Sequence, residues 1–391
     1  MNICFFTSQH VSEFRGGVES VTLKLSEGLC KSGYTVYLLS AMKPLESDIM
    51  LERQFVLPND RINSPENQSY VSTFIANYKI DIIINQSEVR AILELIKSSS
   101  PTTPVISVIH TDPAAATKAI QDCWDLWKLQ LSPVKFTLLS PYLYIRKLYQ
   151  IYTRKKYTKE KLQYYSNQSN AIVLLSVKFF DSFKKISCIN DNKNLYAISN
   201  PHTVKVQKHK PKEKENIVLF VGRLVFQKRL DRLLKIWDCI KDKKDWKLII
   251  IGDGPNRNLY ETLCRKWNID NIEFVGQCDP QPFYQKARIL CITSSFEGSP
   301  CVLKEAMHNG LVPIAFNSFE SASDTIQDKT NGILIKPFSI NKYSRELEGI
   351  MHGKQEHLYT NIDKQTPFAE EEIYEQWKKL INTLILKKKN N

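Results

Sequence analysis

Several common signatures are missing from this 391-residue sequence, and each absence removes a chemistry. No C-x-x-C pair or metal-ligand spacing occurs among the nine cysteines. They are scattered, some in apolar runs such as those holding Cys4 and Cys291, which predicts buried, reduced thiols of a cytosolic protein. There is no G-x-x-x-x-G-K-[ST] phosphate loop, no G-x-S-x-G nucleophile elbow and no H-E-x-x-H zinc helix. No Asp-x-Asp pair stands ready to hold a divalent ion. No apolar run reaches the length of a membrane span. The opening Met1-Asn2-Ile3-Cys4-Phe5-Phe6 is too short for a signal-peptide core and reads as a first strand. Gly252-Asp253-Gly254 begins like a dinucleotide fingerprint, but Arg257 occupies the third glycine position, so a tight turn between strand and helix is the better reading.

What is present is positive charge and a repeating strand–helix rhythm. Lys and Arg number 54 against 41 Asp and Glu, a net charge of +13 that suggests an anionic partner. The length suits two α/β domains. Ile3–Phe6, Val36–Leu39, Ile80–Ile84, Val105–Ile109 and Ala171–Leu174 read as buried parallel strands, with a helix over Glu19–Lys31. A second series runs through Ile217–Val221, Lys247–Ile251, Ile272–Val275, Ile289–Ile292, Val312–Phe316 and Gly332–Ile335. The pattern predicts an N-terminal domain over 1–199, a polar, lysine-rich linker over 200–216 and a second domain over 217–365. A helix from Glu370 to Leu386 lies within a final segment, 366–391.

Candidate chemistry sits where strand-like runs end. Glu297 and Glu305 flank seven residues that contain Gly298, Ser299 and Pro300. The spacing predicts Glu297 in a loop and Glu305 inside a helix, with Pro300 in its first turn. Backbone N–H groups near Gly298 and Ser299 would hold oxygens at the positive end of that helix. Two carboxylates so placed suit two hydroxyl-rich parts of one ligand; the competing reading is a solvated pair. Arg223 and Lys228 follow Val221 and precede a helical run, where fixed cations would stabilise a departing diphosphate. Arg229 and Arg232 lie close by and could supply charge but not the same geometry. Gly16-Gly17 closes the first strand's loop, as a phosphate-approaching turn or a plain one. His110 ends the run Val105–Ile109, a ligand-facing or structural imidazole.

These segments together resemble the retaining GT-B glycosyltransferases of family 4, the glycosyl transferases group 1. The stretch from Glu297 to Glu305 resembles the E-x7-E motif. Val221-Gly222-Arg223-Leu224-Val225-Phe226-Gln227-Lys228 is similar to the G-R-L-x-x-x-K segment. Ile250-Ile251-Gly252-Asp253-Gly254-Pro255, Phe274-Val275-Gly276 and Arg15-Gly16-Gly17-Val18-Glu19 follow the same order and spacing, so the resemblance covers nearly the whole chain. It implies two doubly wound Rossmann-like domains facing a cleft, with the last helix returning to the first domain. It implies a nucleoside diphosphate sugar donor, UDP-linked by prevalence, held mainly by the second domain, and a glycan or lipid-linked acceptor on the first. Glu297 would hold the sugar, Glu305 the ribose, Arg223 and Lys228 the diphosphate, and His110 would face the donor sugar. No metal and no cofactor is implied, in contrast to the Asp-x-Asp GT-A class. The setting would be lipopolysaccharide, capsule or exopolysaccharide assembly. A sugar-nucleotide epimerase of the same fold, or a non-catalytic nucleotide-sugar or nucleic-acid binding module, are the alternatives.

One stretch fits neither series. Residues 118 to 165 mix cations from Lys118 to Lys161 with aromatics from Trp124 to Tyr165, against only Asp122, Asp125 and Glu160. Tyr144, Leu148, Ile151 and Tyr152 share one helical face. The composition suits an interfacial helix on an anionic membrane surface, or else a core-packing helix. No nucleic-acid partner is expected, because no such motif accompanies the patch.

Overall fold

The computed structural model describes residues 1–12, 16–44, 51–191, 193–201, 214–362 and 370–390. Arg15, linker residues 202–213 and residues 363–369 and 391 of the expected C-terminal segments lie outside the described residues. The first half of the chain runs β1 (Asn2–Thr7), α1 (Gly17–Lys31), β2 (Thr35–Ser40), β3 (Gln54–Val56), α2 (Pro65–Asn77), β4 (Ile82–Asn85), α3 (Arg90–Ser99) and β5 (Val105–Ile109). Two helices follow, α4 (Ala115–Gln130) and α5 (Pro133–Gln168), then β6 (Ala171–Leu174), α6 (Phe179–Ser187) and β7 (Leu195–Ala197). The second half runs β8 (Ile217–Val221), α7 (Leu230–Cys239), β9 (Lys247–Ile251), α8 (Arg257–Trp267), β10 (Ile272–Gly276), α9 (Gln281–Lys286), β11 (Ile289–Ile292), α10 (Cys301–His308), β12 (Val312–Phe316), α11 (Ala322–Thr325), β13 (Ile333–Ile335), α12 (Ile340–Met351), α13 (His357–Ile362) and α14 (Glu370–Asn390).

Packing divides the chain into two compact units. The first comprises Met1–Pro113, Lys156–Thr203 and Phe368–Asn391. Its seven strands are parallel in the order β3-β2-β1-β4-β5-β6-β7. The central strands are buried along their whole length because helices cover both faces, which is why they read as unbroken Ile/Val runs. Helix α14 lies on α1, burying Trp377, Leu380 and Ile381. Gly28 makes that approach possible: a Cβ there would stand 2.2 Å from Tyr374 Cε1.

The second unit comprises Ala114–Lys155 and Val204–Pro367. Six parallel strands run in the order β10-β9-β8-β11-β12-β13 over a core that includes Trp237, Tyr260, Tyr284 and Phe316. The turns after β8 and β9 touch backbone to backbone. A Cβ on Gly252, at φ 127°, would fall 2.1 Å from the Gly222 carbonyl oxygen, so the Gly252-Asp253-Gly254 turn is a packing device. Lys214 is buried in this unit, and its ammonium donates to the carbonyls of Tyr284, Ala287 and Asn309.

Each sheet has one switch point, between β1 and β4 in the first unit and between β8 and β11 in the second. The order in which strands are added reverses there, and the loops leaving the strands' carboxyl ends open a crevice for ligands. All nine cysteines are free, but only Cys4, Cys264 and Cys291 are buried. Cys30, Cys188, Cys239 and Cys278 are exposed, which corrects the expectation of buried thiols: they lie on or beside helices and loops, not within strands.

Candidate functional site

The loops at the second unit's switch point bring Lys228 and Glu297 together. After β8 the chain turns at Gly222 and Arg223, then forms a single 3-10 turn over Phe226–Lys228. The aliphatic stem of Lys228 lies over Gly222, and its Nζ donates to Glu297 Oε1 at 2.7 Å. Gln227 Nε2 donates to Glu297 Oε2 at 3.2 Å and to the Phe296 carbonyl at 3.0 Å. The Ser295 N–H returns to the Gln227 carbonyl, so the two loops are stitched in both directions. Both oxygens of Glu297 therefore have donors, and the residue is 6% exposed. Arg223 is exposed, and its guanidinium makes no ion pair or hydrogen bond among the described residues. The result is a fixed ammonium–carboxylate pair, with Arg223 of the same turn facing solvent.

Glu305 lies inside α10, as the spacing predicts. Pro300 is the N-cap of that helix, one residue before its first turn. Gly298 is buried and Ser299 half-buried in the loop leading to it. The Glu305 carboxylate is 4% exposed and accepts the Tyr284 hydroxyl at 2.9 Å. Burial, with the nearby Glu305 charge, keeps Tyr284 protonated and donating. Cys301, half-buried, opens the same helix, but desolvation raises its thiol to about 12, so it supplies no thiolate at neutral pH.

Arg229 and Arg232 are not spare cations. Arg229 stands in the left-handed region at φ 48°, between the 3-10 turn and α7. Its guanidinium is bidentate to Asp231, at 2.9 and 3.0 Å, and donates at 2.9 Å to both Asp122 and Asp125 of α4. Ser295 Oγ donates to Asp122, and Arg232 Nη1 donates to Ser295 Oγ at 3.0 Å. Arg232 also stacks on Phe338, 3.5 Å from the ring centroid. Burial opposes the Arg229 charge, but Asp231, Asp122 and Asp125 more than offset it and raise its pKa. This knot clamps α4 against the Lys228 turn and the Ser295–Glu297 loop. The sequence reading missed it, because nothing local marks Asp122 and Asp125 as partners of a residue more than a hundred positions away.

The first unit carries its own cluster at the ends of β4 and β5. His110 Nε2 lies 2.5 Å from Gln86 Oε1, so Nε2 carries the proton. Burial lowers the imidazole to about 4, against the pull of the Glu88 charge, and the ring is neutral at neutral pH. The Gln86 Nε2 amide is buried with no partner among the described residues. Glu88 accepts from the Thr111 N–H and hydroxyl and from Lys161 Nζ, each at 2.9 Å. Burial works against that carboxylate, yet Lys161 and Thr111 hold it below its ordinary range. Gly16 and Gly17 form the start of α1, and the Glu19 carboxylate folds back so close that a Cβ on Gly16 would meet it at 2.6 Å. Glu88 was not singled out from sequence, and Lys161 only as one cation of the basic stretch; the signal for Glu88 was a carboxylate three residues beyond a strand end at a switch point.

Comparison with known proteins agrees with this frame. The profile of the family described as Glycosyl transferases group 1 matches residues 202–366. An uncharacterised glycosyltransferase of Haemophilus influenzae is 30% identical over 195 residues, 48% of this chain and 55% of the relative. A lipopolysaccharide 1,6-galactosyltransferase of Escherichia coli is 32% identical over 195 residues, 46% of this chain and 52% of the relative. The chain thus spans about half the length of the curated relatives it matches. Among solved structures, a variant of the Staphylococcus aureus protein TarM, in complex with fondaparinux, α-GlcNAc-glycerol and UDP, superposes with a TM-score of 0.73 over 98% of this chain and 100% of that one. At 15% identity that likeness speaks to the fold, which is GT-B. Residues 202–366, which contain the Arg223–Lys228 turn and both glutamates of the E-x7-E stretch, match the glycosyl transferases group 1 family, and the fold around them is GT-B.

Proposed function

We propose that this protein is a retaining glycosyltransferase. It moves a hexosyl group from a nucleoside diphosphate sugar, with uridine the favoured base, to a glycan or lipid-linked acceptor in lipopolysaccharide, capsule or exopolysaccharide assembly. The observation that carries the reading is the Lys228–Glu297 pair, 2.7 Å apart at the second unit's switch point, with Arg223 exposed in the same turn as Lys228. A sugar diphosphate presents an anion and a set of hydroxyls side by side, and this pair presents their complements. The UDP bound to TarM on the same fold supports the choice of nucleotide.

In this mechanism the diphosphate lies against Arg223 and Lys228, with N–H groups of Gly298 and Ser299 at the start of α10 adding donors. Glu297 accepts from the sugar hydroxyls and Glu305 from the ribose. As the anomeric C–O bond to phosphate breaks, negative charge grows on the leaving oxygen and the cations bind it more strongly than in the ground state. The acceptor hydroxyl attacks from the same face, its proton passes to the departing phosphate oxygen, and configuration is retained. His110, neutral at working pH, serves as a hydrogen-bonding group for a substrate hydroxyl and not as an acid. The loop at Gly16 and Gly17 offers N–H groups to the substrate. Two cations supply the electrostatic work, so no metal is required.

The test is release of UDP or GDP from a donor panel, with and without bacterial lipid extract and with excess chelator. Acceptor-dependent release of nucleoside diphosphate that survives chelation supports the proposal. Epimer or free sugar formed without acceptor would replace it with the epimerase reading. Donor binding with no turnover would leave a binding module.

A further inference from the structure

Helix α5 keeps on its surface what a globular protein normally buries. Of the 17 large hydrophobic side chains that are exposed among the described residues, ten lie on this one helix. The most exposed six are Val134 (70%), Leu138 (75%), Tyr142 (63%), Ile145 (68%), Tyr149 (68%) and Tyr152 (67%). Their spacing of three and four residues sets them on one face, a stripe about 27 Å long at 1.5 Å per residue. The opposite face holds the contacts: Leu143 is buried, and Lys147 Nζ donates to Gln121 of α4 at 2.6 Å. Trp124 of α4 packs edge-on to Phe136 and Tyr144 at 5.6 and 6.2 Å, and Arg146 lies over Trp127 at 5.4 Å. The helical pair is therefore fixed on its inner side and bare on its outer side. The core-packing alternative for this stretch does not hold for that face.

The charge says what covers it. Residues 133–159 contain seven Lys and Arg and no Asp or Glu. Lys135, Arg146, Arg154, Lys155 and Lys156 are exposed along the edges and the far end of the stripe. A second copy of this helix would set cation against cation. An anionic bilayer offers both complements, headgroup phosphates for the cations and an apolar layer beneath for the stripe, and tyrosines settle at that boundary. Patches of this size on soluble proteins mark interaction sites.

We infer that the outer face of α5 docks this protein on an anionic lipid bilayer, with the Val134–Tyr152 stripe in the headgroup region and the basic residues on lipid phosphates. The inference stands apart from the choice of donor or acceptor, since it needs no turnover. The experiment is co-sedimentation of the full chain with phosphatidylglycerol/phosphatidylcholine vesicles and with pure phosphatidylcholine vesicles, at low and physiological salt. Wild type should bind the anionic vesicles, more weakly as salt rises, and bind neutral ones poorly. Arg154→Ser/Lys155→Ser/Lys156→Ser should lower anionic-vesicle affinity on the order of 100-fold, at about fivefold per cation. Ile145→Ser/Tyr149→Ser should lower it at physiological salt too, where the apolar contribution dominates. Equal sedimentation of wild type and both variants would overturn the inference. So would a concentration-dependent dimer, measured by analytical ultracentrifugation, that Ile145→Ser/Tyr149→Ser abolishes while wild type ignores vesicles.

Discussion

Replacing Arg229 is the sharpest test of how the site is held. Its guanidinium is buried, bidentate to Asp231 and shared with Asp122 and Asp125. Its backbone meanwhile sits at φ 48°, a conformation that costs a side-chain-bearing residue about 1 kcal/mol relative to glycine. Arg229→Ala leaves Asp231, Asp122 and Asp125 with only Arg232 as a nearby cation among the described residues, 3.9 Å from Asp122 and 3.8 Å from Asp125, and should destabilise the second unit by about 3–5 kcal/mol, the usual cost of breaking a buried ion pair from one side. Arg229→Gly loses the same charge but relieves the backbone, so it should lie about 1 kcal/mol above Arg229→Ala. Arg229→Lys keeps a charge without the fork and should fall between Arg229→Gly and wild type.

Urea denaturation followed by tryptophan fluorescence reads all three, since Trp237 and Trp246 lie in the core of this unit. Turnover should fall alongside, because the carbonyls of Lys228 and Arg229 both accept the Thr293 hydroxyl at 3.1 Å and the turn loses its anchor. An Arg229→Ala protein within 1 kcal/mol of wild type, or an Arg229→Gly protein less stable than Arg229→Ala, would refute the reasoning: the knot would then not be what holds the turn.

Other expectations follow from the same geometry. Lys228→Ala should lower turnover more than donor affinity, because leaving-group charge grows in the transition state; a loss lying wholly in KM counts against the role. Glu297→Gln removes the carboxylate that competes with a diphosphate for Lys228, so calorimetry should find UDP bound more tightly while sugar transfer falls. Glu305→Ala should weaken nucleoside diphosphate binding by roughly 1.5–3 kcal/mol through loss of a charged acceptor, and unchanged affinity would remove the ribose assignment. For His110 the folded pKa is depressed from 6.5 to about 4, so the unfolded chain binds more protons between those values and stability falls as pH drops through that window. The loss approaches about 3 kcal/mol by pH 4; thermal melting should show a flatter acid limb in His110→Gln.

The parts of this molecule that were legible in its sequence are those whose causes are local. Val105–Ile109, Ala171–Leu174, Ile217–Val221, Lys247–Ile251, Ile289–Ile292 and Val312–Phe316 coincide with the observed strands residue for residue. A parallel strand buried on both faces has to be a continuous apolar run bounded by polar turns. The strands Gln54–Val56 and Leu195–Ala197 went unread because three residues at a sheet's edge carry no periodicity. The placement of Glu297 in a loop and Glu305 inside a helix was legible because loop, cap and helix lie within a few residues of one another, whereas the pairing of Glu297 with Lys228, 69 positions earlier, was not. The Arg229 knot was not: its partners come from α4, and an arginine in the left-handed region contradicts the local preference. Periodicity also picked out Tyr144, Leu148, Ile151 and Tyr152 as one face of α5, but an amphipathic pattern looks the same whether its apolar side is buried or bare.

Under the proposed function, the charges at the second switch point would couple the diphosphate to its sugar. Without a donor, Lys228 is neutralised by Glu297, so the site does not hold a bare ammonium that any phosphate could claim. On the proposed reading, the exposed Arg223 would attract the incoming diphosphate over a distance set by salt screening. Phosphates that reach Lys228 would take the strongest partner of Glu297, and a carboxylate held at 6% exposure would need new donors. Sugar hydroxyls supply them. Full occupancy therefore favours a ligand that carries the anion and the hydroxyls together, and a nucleoside diphosphate without its sugar leaves Glu297 short of a partner. The same coupling would weaken the hold on the product after the proposed transfer, because the departing sugar would take its hydroxyls with it and Lys228 would be drawn back to Glu297.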